Sequence, residues 1–290
     1  MKENIKLQEL RLQELRLQEL RLNKPFLKWA GGKTRVVKHI IPLLPKGDRL
    51  VEPFCGSGAV FLNTNYNKYL ISDINADLIN TFKYVQKEGA SFINDCKTLF
   101  VPSNNTESMY KSLRSIFNNT QDIRFKSAIF IYLNRHCFNG LCRYNLKGIF
   151  NVPFGRYTKP YFPQKELEFF WEKSKKAVFL NVDFRKLTKH LKANDVIYCD
   201  PPYVPLTKTA NFTAYNKENF KQQDHTDLVA WIENCGIPAV ISNHDTADIR
   251  KAYKHASSIK AIAVQRNISC NGLNRKTAKE LIAVYNGEIK

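Results

Sequence analysis

Residues 50–62 read LVEPFCGSGAVFL, and the fold class can be inferred from this segment outward. A short apolar run ends at a loop with glycines at positions 56 and 58, and a second apolar run then begins a helix. Further strands are predicted at residues 69–73, 177–180, 196–199 and 239–242, with helical stretches between them. Strands that alternate with helices form a largely parallel sheet, so the sequence predicts a doubly wound α/β fold.

The block between residues 73 and 177 lacks this alternation and is predicted to be a mostly helical insert. Within it, residues 123–165 hold eight Lys or Arg, ten Phe or Tyr and no acid. Cations bind phosphates, and aromatic rings stack on or wedge between bases, so this block is the best candidate for a nucleic-acid surface. For most of the rings, a place in the core is the alternative. The lack of acids favours the nucleic-acid surface, because a merely solvated face normally mixes charges of both signs.

The composition points the same way. The chain carries 45 Lys and Arg against 26 Asp and Glu, a formal net charge of +19 with a pI near 9.6. Such an excess predicts a polyanionic partner, nucleic acid first and an acidic membrane surface second. No stretch approaches the roughly 20 apolar residues of a membrane span, and the first residues lack the apolar core of a secretion signal. We therefore expect a cytoplasmic, nucleoid-associated protein.

The seven cysteines and six histidines give no sign of a metal site. The cysteines include no CxxC pair, and the histidines are scattered along the chain. We expect reduced, mostly structural thiols and no bound metal.

The chain begins with a repeat, because residues 7–21 contain three copies of LQELR. Each five-residue copy rotates a helix by about 140°, so the leucines spread around the helix instead of forming one stripe. Residues 1–24 are predicted to form an arm outside the fold, frayed or disordered. An oligomerisation arm is the alternative, although we expect the protein to act as a monomer.

Asp200, Pro201, Pro202 and Tyr203 follow the apolar strand 196–199. The two prolines exclude both sheet pairing and helix, which leaves a rigid loop with a carboxylate beside an aromatic ring. This combination suits an exocyclic amine on a planar ring, because the carboxylate and a backbone carbonyl can each accept one N–H while the tyrosine stacks. An ordinary surface turn is the alternative.

The glycine loop Phe54-x-Gly56-x-Gly58 precedes a strand that ends in Asp73. Glycines let the backbone approach a ligand where the strand order reverses, and the acid can bind a ribose diol. Phe61 stands where a dinucleotide fingerprint has a third small residue, and no phosphate-loop lysine follows. The pattern therefore fits a nucleoside cofactor without a pyrophosphate.

The order of these motifs, starting with FLKWAGGK at residues 26–33, resembles the alpha group of S-adenosylmethionine-dependent DNA adenine-N6 methyltransferases. The likeness to the Dam methyltransferases of enteric bacteria runs from about residue 25 to 286. Its motifs lie at residues 134–145, 150–157, 159–163, 210–215 and 241–246. The resemblance implies a seven-stranded, mainly parallel Rossmann-like methyltransferase sheet and a recognition insert with a β-hairpin. The implied domains are the arm (1–24), a catalytic domain (25–75 and 164–290) and a target-recognition domain (76–163).

The resemblance also implies S-adenosyl-L-methionine as cofactor, double-stranded DNA containing GATC as partner, and roles for single residues. The catalytic loop is Asp200, Pro201, Pro202 and Tyr203. The cofactor is expected at Trp29, Lys33, Phe54, Gly56, Gly58, Asp73, Asp183 and Asp200. DNA is expected at Lys28, Arg135, Phe138, Asn139, Leu141, Arg143, Asn151, Pro153 and Arg156. Phe138 stands where close relatives often carry the aromatic wedge as Tyr.

The chemistry implied is direct methyl transfer to N6 of an adenine flipped out of the duplex, at a flipping cost of a few kcal/mol. Hydrogen bonds from N6 to the Asp200 carboxylate and the Pro201 carbonyl would favour a pyramidal nitrogen. Two other functions are open. An amino methylase of RNA or protein glutamine usually has Asn before Pro-Pro-Tyr and lacks such an insert. An inactive DNA-binding module has no use for the glycine loop.

Overall fold

The computed structural model describes residues 22–203, 220–265 and 277–287. The LQELR repeat, the motif at 210–215 and Cys270 lie outside the described residues. The strands are β1 (Arg49–Glu52), β2 (Lys68–Ser72), β3 (Ala177–Leu180), β4 (Asp195–Cys199), β5 (Ala239–His244), β6 (Ser258–Gln265) and β7 (Thr277–Tyr285).

The α-helices of the described residues run from 4 to 14 residues. The α-helices are α1 (Val37–Ile40), α2 (Ala59–Asn63), α3 (Ala76–Glu88), α4 (Ala90–Thr98), α5 (Glu107–Asn119), α6 (Ile123–His136), α7 (Gln164–Ser174), α8 (Gln222–Cys235) and α9 (Ala247–Ala252). Within the described residues, 3-10 segments lie at Lys33–Arg35, Ile41–Leu43, Pro102–Asn104, Phe138–Gly140 and Phe184–His190.

The strands form one seven-stranded sheet in the order β3-β2-β1-β4-β5-β7-β6. The first five strands are parallel, and β7 runs antiparallel between β5 and β6. The chain fills one half of the sheet from β1 to β3 and the other half from β4 onward, so the strand order reverses between β1 and β4. The predicted fold class is confirmed.

Successive side chains of the central strands point to opposite faces of the sheet and belong to two different hydrophobic cores. Leu50 and Val196 belong to the core on one face, whereas Val51 and Ile197 belong to the core on the other. Strands buried on both faces read as continuous apolar runs, which is why β1 and β4 could be located from the sequence.

The insert shares the first of these cores. Phe82 of α3 packs against Phe179 of β3 at 5.5 Å between ring centroids, and the insert residues Phe117 and Phe130 belong to the same cluster as the sheet. The predicted domain boundaries stay a prediction. Of the predicted hairpin, the described residues form two isolated antiparallel bridges, Cys137 with Phe154 and Tyr144 with Phe150.

The aromatic rings of the acid-free block divide between core and surface. Phe130, Tyr132 and Phe150 are fully buried, whereas Phe125, Phe138 and Tyr161 are exposed. The remaining four are half-buried. The six described cysteines are free thiols. Within the described residues, the helices are too short or too polar to cross a membrane.

Candidate active site

The carboxyl ends of neighbouring parallel strands place polar side chains at one edge of the sheet. Glu52 ends β1, Asp73 follows β2, Asp200 follows β4, and Ser242 lies within β5. Ligands of doubly wound sheets bind at this edge, beside the reversal of strand order. Because β1 and β4 flank the reversal, Glu52 and Asp200 lie at its centre.

Asp200 is held by side chains from two other segments. Lys33 Nζ lies 2.8 Å from Asp200 Oδ1, and the Ser242 hydroxyl donates to the same oxygen at 3.1 Å. Ser242 Oγ in turn lies 2.8 Å from the hydroxyl of the buried Tyr198. The carboxylate therefore has a fixed orientation at the end of its strand.

Lys33 and Asp200 each shift the pKa of the other. Burial raises the pKa of Asp200, and the Lys33 charge opposes that rise. Burial alone would lower the pKa of Lys33, but the surrounding acidic groups, with Asp200 the largest contributor, outweigh it, so the Lys33 pKa is raised. Lys33 thus stays a cation and Asp200 stays close to its counterion.

The remainder of the predicted catalytic loop packs around this pair. Pro201 is buried and Pro202 is half-buried. The Tyr203 ring lies 4.5 Å from Lys33 Nζ and 4.1 Å, centroid to centroid, from the His244 ring. The structure therefore brings the catalytic-loop residues and Lys33 together.

The glycine loop passes close to Trp29. Gly56 and Gly58 adopt φ of 47° and 77°, the left-handed region that favours glycine. A Cβ on Gly56 would lie 2.9 Å from the Trp29 ring. The Phe54 ring packs at the other side of the loop, 5.5 Å from Phe184. The loop therefore lies against Trp29, another residue of the predicted cofactor site.

Asp73 is oriented by the backbone of the same loop. Gly56 N donates to Asp73 Oδ2 at 3.1 Å, and Asn75 N donates to Oδ1 at 2.9 Å. Burial raises the pKa of Asp73 to about 6, against the lowering effect of these hydrogen bonds. The side chain of the neighbouring Ile74 is exposed and offers an apolar surface beside the carboxylate.

Glu52 lies beneath this edge as a buried acid that the sequence analysis did not select. It is 1% exposed, and its Oε1 has no hydrogen-bond partner among the described residues. Burial and the charge of Asp200 raise its pKa well above the ordinary value.

The recognition turn, Phe138–Gly140, presents the predicted wedge. The Phe138 side chain is 50% exposed, although large aromatic side chains are usually buried. Asn139 adopts φ of 54°, and its N–H donates to the Tyr157 hydroxyl at 2.9 Å. Lys28 extends over the Tyr157 ring, with Nζ 4.6 Å from the centroid. The turn thus places Lys28 and Asn139 beside the exposed Phe138.

The other predicted base-reading residues lie on the segment after this turn. Arg143 Nε donates to Asn151 Oδ1 at 2.8 Å, so these two predicted DNA contacts bind each other. Pro153 is exposed. The Arg156 side chain is 80% exposed, and its Nη2 lies 3.5 Å from Glu107 Oε2. A cleft of about 340 Å³ is bordered both by Trp29 and Ser57 and by recognition residues such as Leu141.

Comparison with known proteins identifies the class of site. A family model described as D12 class N6 adenine-specific DNA methyltransferase matches residues 29–268. The chain belongs to this methyltransferase family. The match spans the glycine loop, the recognition turn and the Asp200 loop, and it favours the first of the three functions considered from the sequence.

Curated relatives of this methyltransferase agree with the family model. The chain is 47% identical to the DNA adenine methylase of Serratia marcescens over 91% of its own length and 98% of the relative. It is 46% identical to the DNA adenine methylase of Vibrio cholerae, over 90% of this chain and 96% of the relative. It is also 46% identical to that of Escherichia coli K12, over 91% of this chain and 95% of the relative.

Two predicted site residues of the methyltransferase have other partners. Arg135 is 9% exposed, and its guanidinium donates to the Phe26 carbonyl, so it supports the amino-terminal loop from inside the protein. A DNA contact of Arg135 stays a prediction, and in the described conformation its side chain is buried. Asp183 caps the following 3-10 segment at Arg185 N and forms an ion pair with the Arg185 side chain at 3.3 Å.

Sequence reasoning missed the residues that orient Asp200. Ser242 and Tyr198 lie on strands that the sequence did predict, so their position at the carboxyl ends of β5 and β4 was an available signal. Nothing in the local sequence says that the two hydroxyls meet. Within the described residues, no group of three or more His, Cys, Asp or Glu side chains is arranged to hold a metal.

Proposed function

We propose that this DNA adenine methyltransferase uses S-adenosylmethionine and methylates N6 of a flipped-out adenine within GATC sites of duplex DNA. The reaction class follows from the family. The single observation that supports the finer proposal is the cleft shared by the glycine-loop region and the recognition turn. Trp29 and Ser57 border the cleft on the cofactor side, and Asn139 and Leu141 border it on the recognition side, so a donor and a base could approach each other there.

The residues at the sheet edge fit this cofactor. The left-handed Gly56 lets the loop pass close to the Trp29 ring, and the ionised Asp73 can accept hydrogen bonds from ribose hydroxyls. Lys33, which is paired with Asp200, also supplies a positive charge for the carboxylate of the cofactor's methionine part. The unpartnered Glu52 Oε1 is a buried polar atom that a donor-bearing ligand would satisfy.

When bound, the cofactor supplies a methyl group carried on a positively charged sulfur. Adenine N6 is a weak nucleophile, because its lone pair is delocalised into the ring. Asp200 and the Pro201 carbonyl would each accept one N6 hydrogen, which favours a pyramidal nitrogen with an available lone pair. The carboxylate can also hold the one proton that N6 gives up as its bond to carbon forms.

The recognition residues divide between reading and holding the duplex. Phe138 would fill the space that the extruded adenine leaves. Arg143 has the two-pronged donor that suits guanine O6 and N7, and Leu141 or Pro153 offers apolar contact to a thymine methyl group. Arg156, well exposed on the same segment, suits a phosphate.

Methyl transfer to defined DNA tests the proposal. Purified protein with S-adenosylmethionine should protect GATC plasmid from a methylation-sensitive nuclease. Asp200→Ala should abolish protection, whereas Asp248→Ala, which removes an exposed acid at the start of α9, should not. Equal methylation of duplex lacking GATC would refute the sequence assignment. Methylation of RNA or a protein glutamine in preference to duplex DNA would refute the choice of substrate.

A further inference from the structure

One buried side chain joins the loop before the cofactor site to the recognition turn. Asn134, near the end of α6, is 2% exposed. Its Oδ1 accepts the Lys28 N–H at 2.8 Å, and its Nδ2 donates to the Lys28 carbonyl at 2.8 Å and the Gly140 carbonyl at 3.3 Å. The amide therefore uses both its donor and its acceptor to bridge two backbone segments.

The two bridged segments have different tasks in the proposed reaction. Lys28 directly precedes Trp29, and the same loop leads to Lys33 at the Asp200 carboxylate. Gly140 ends the turn that begins at Phe138. The contact is tight as well as hydrogen-bonded, because a Cβ on Gly140 would lie 2.3 Å from Lys28 Cδ. A shift of one segment must move or strain the other.

We propose that Asn134 is a positioning residue through which cofactor binding and GATC binding strengthen each other, an inference that rests on the proposed function. A ligand on the Trp29–Lys33 loop restricts that loop, and the amide transmits the restriction to the recognition turn. The second ligand then finds its site already ordered and loses less conformational entropy on binding. Linkage requires the same factor in both directions.

Asn118 provides a matched control. It also holds one residue by both backbone groups, because its Oδ1 accepts the Phe150 N–H at 2.9 Å and its Nδ2 donates to the Phe150 carbonyl at 3.1 Å. These bonds join α5 to the segment after the recognition turn and leave the loop of Lys28 untouched. Alanine at 118 thus removes the same type of clamp without removing the bridge.

The experiment measures affinities with S-adenosylhomocysteine as an unreactive probe. Fluorescence anisotropy gives the Kd of a labelled GATC duplex with and without the probe, and calorimetry gives the Kd of the probe with and without duplex. For the unaltered chain we expect each ligand to tighten the other by about 5-fold or more. Asn134→Ala should bring this ratio close to one, whereas Asn118→Ala should keep it even where DNA affinity falls.

The outcomes separate the inference from the function on which it rests. A ratio of one in the unaltered chain, with both ligands bound, overturns the inference alone, as does an unchanged ratio in Asn134→Ala or an equal loss in both variants. Failure of the unaltered chain to bind either ligand overturns the proposed function and the inference with it. If Asn134→Ala does not fold, Asn134→Asp takes its place, because it keeps the acceptor for the Lys28 N–H and removes both Nδ2 donations, and a retained ratio there also overturns the inference.

Discussion

Replacing Lys33 with methionine tests the ion pair on which the site depends. The two side chains are 5% and 20% exposed, with Lys33 Nζ 2.8 Å from Asp200 Oδ1. At an effective dielectric constant of about 20, two unit charges at that distance attract by about 6 kcal/mol, and desolvation offsets much of this. Removing one partner of a buried pair costs about 3–5 kcal/mol. Because Asp200 keeps its Ser242 hydrogen bond, we expect about 3 kcal/mol at pH 8.

The loss should depend on pH with a defined sign. Burial raises the pKa of Asp200 above its ordinary 3.8, and Lys33→Met removes the charge that opposes this rise. The folded variant then binds a proton more tightly than the unfolded chain does. Its instability is complete above the raised pKa and disappears as the pH falls toward 3.8, because a neutral carboxyl needs no counterion.

Urea denaturation at pH 8 and pH 5 measures both effects. Asp200→Asn should also destabilise the protein, by leaving Lys33 unpaired, and the double variant should lose less than the sum of the single losses. Lys111→Met is the control, since its pair with Glu107 has the same 2.8 Å separation but is exposed and should contribute less than about 1 kcal/mol. A Lys33→Met loss as small as the control's, or one that is equal at both pH values, would refute the reasoning.

Three further predictions concern cofactor affinity, extrusion of the adenine and discrimination between DNA sequences. Because burial raises the Asp73 pKa to about 6, S-adenosylhomocysteine affinity should fall about tenfold from pH 8 to pH 5 in calorimetry, and Asp73→Asn should remove that dependence. Phe138→Ala should slow methylation of paired adenine more than that of mispaired adenine, which costs less to extrude; equal slowing in rate assays would count against a wedge. Arg143→Ala should relax discrimination at one base pair by about 1–3 kcal/mol, whereas Arg156→Ala should weaken all duplexes alike, as competition binding would reveal.

Local patterns were sufficient to predict the first five strands. Each is a short apolar run between turn signals, and Ala177–Leu180 has the predicted bounds. By contrast, β6 and β7 were implied only by the resemblance to seven-stranded methyltransferases. The β7 sequence TAKELIAVY holds Ala, Lys, Glu and Leu, which favour helix as readily as strand. Its place between β5 and β6 depends on non-local pairing that no window of sequence contains.

The residues of the candidate site also separate into those with a local sequence signal and those placed by non-local contacts. Asp200 and the glycine loop were predictable, because their chemistry depends on neighbours within a few residues. Ser242 is 42 residues from the Asp200 that it orients, and Asn134 is 106 residues from the Lys28 that it holds. Arg135 is buried, which its charge alone does not indicate. It lies in α6, which is buried from Ser127 to His136, and this long apolar run could have warned of an inward-facing arginine.

The acid-free block, residues 123–165, has acidic side chains from other segments beside it in the folded protein. Arg124 lies 2.8 Å from Glu88 and 2.5 Å from Asp95, and Lys126 lies 3.0 Å from Asp77. These cations, at the start of the block, are neutralised by carboxylates of α3 and α4. The cations that remain exposed are Lys147, Arg156, Lys159 and Lys165. They follow the recognition turn, so the exposed positive charge of the block is concentrated on the segment that also carries the predicted base-reading residues.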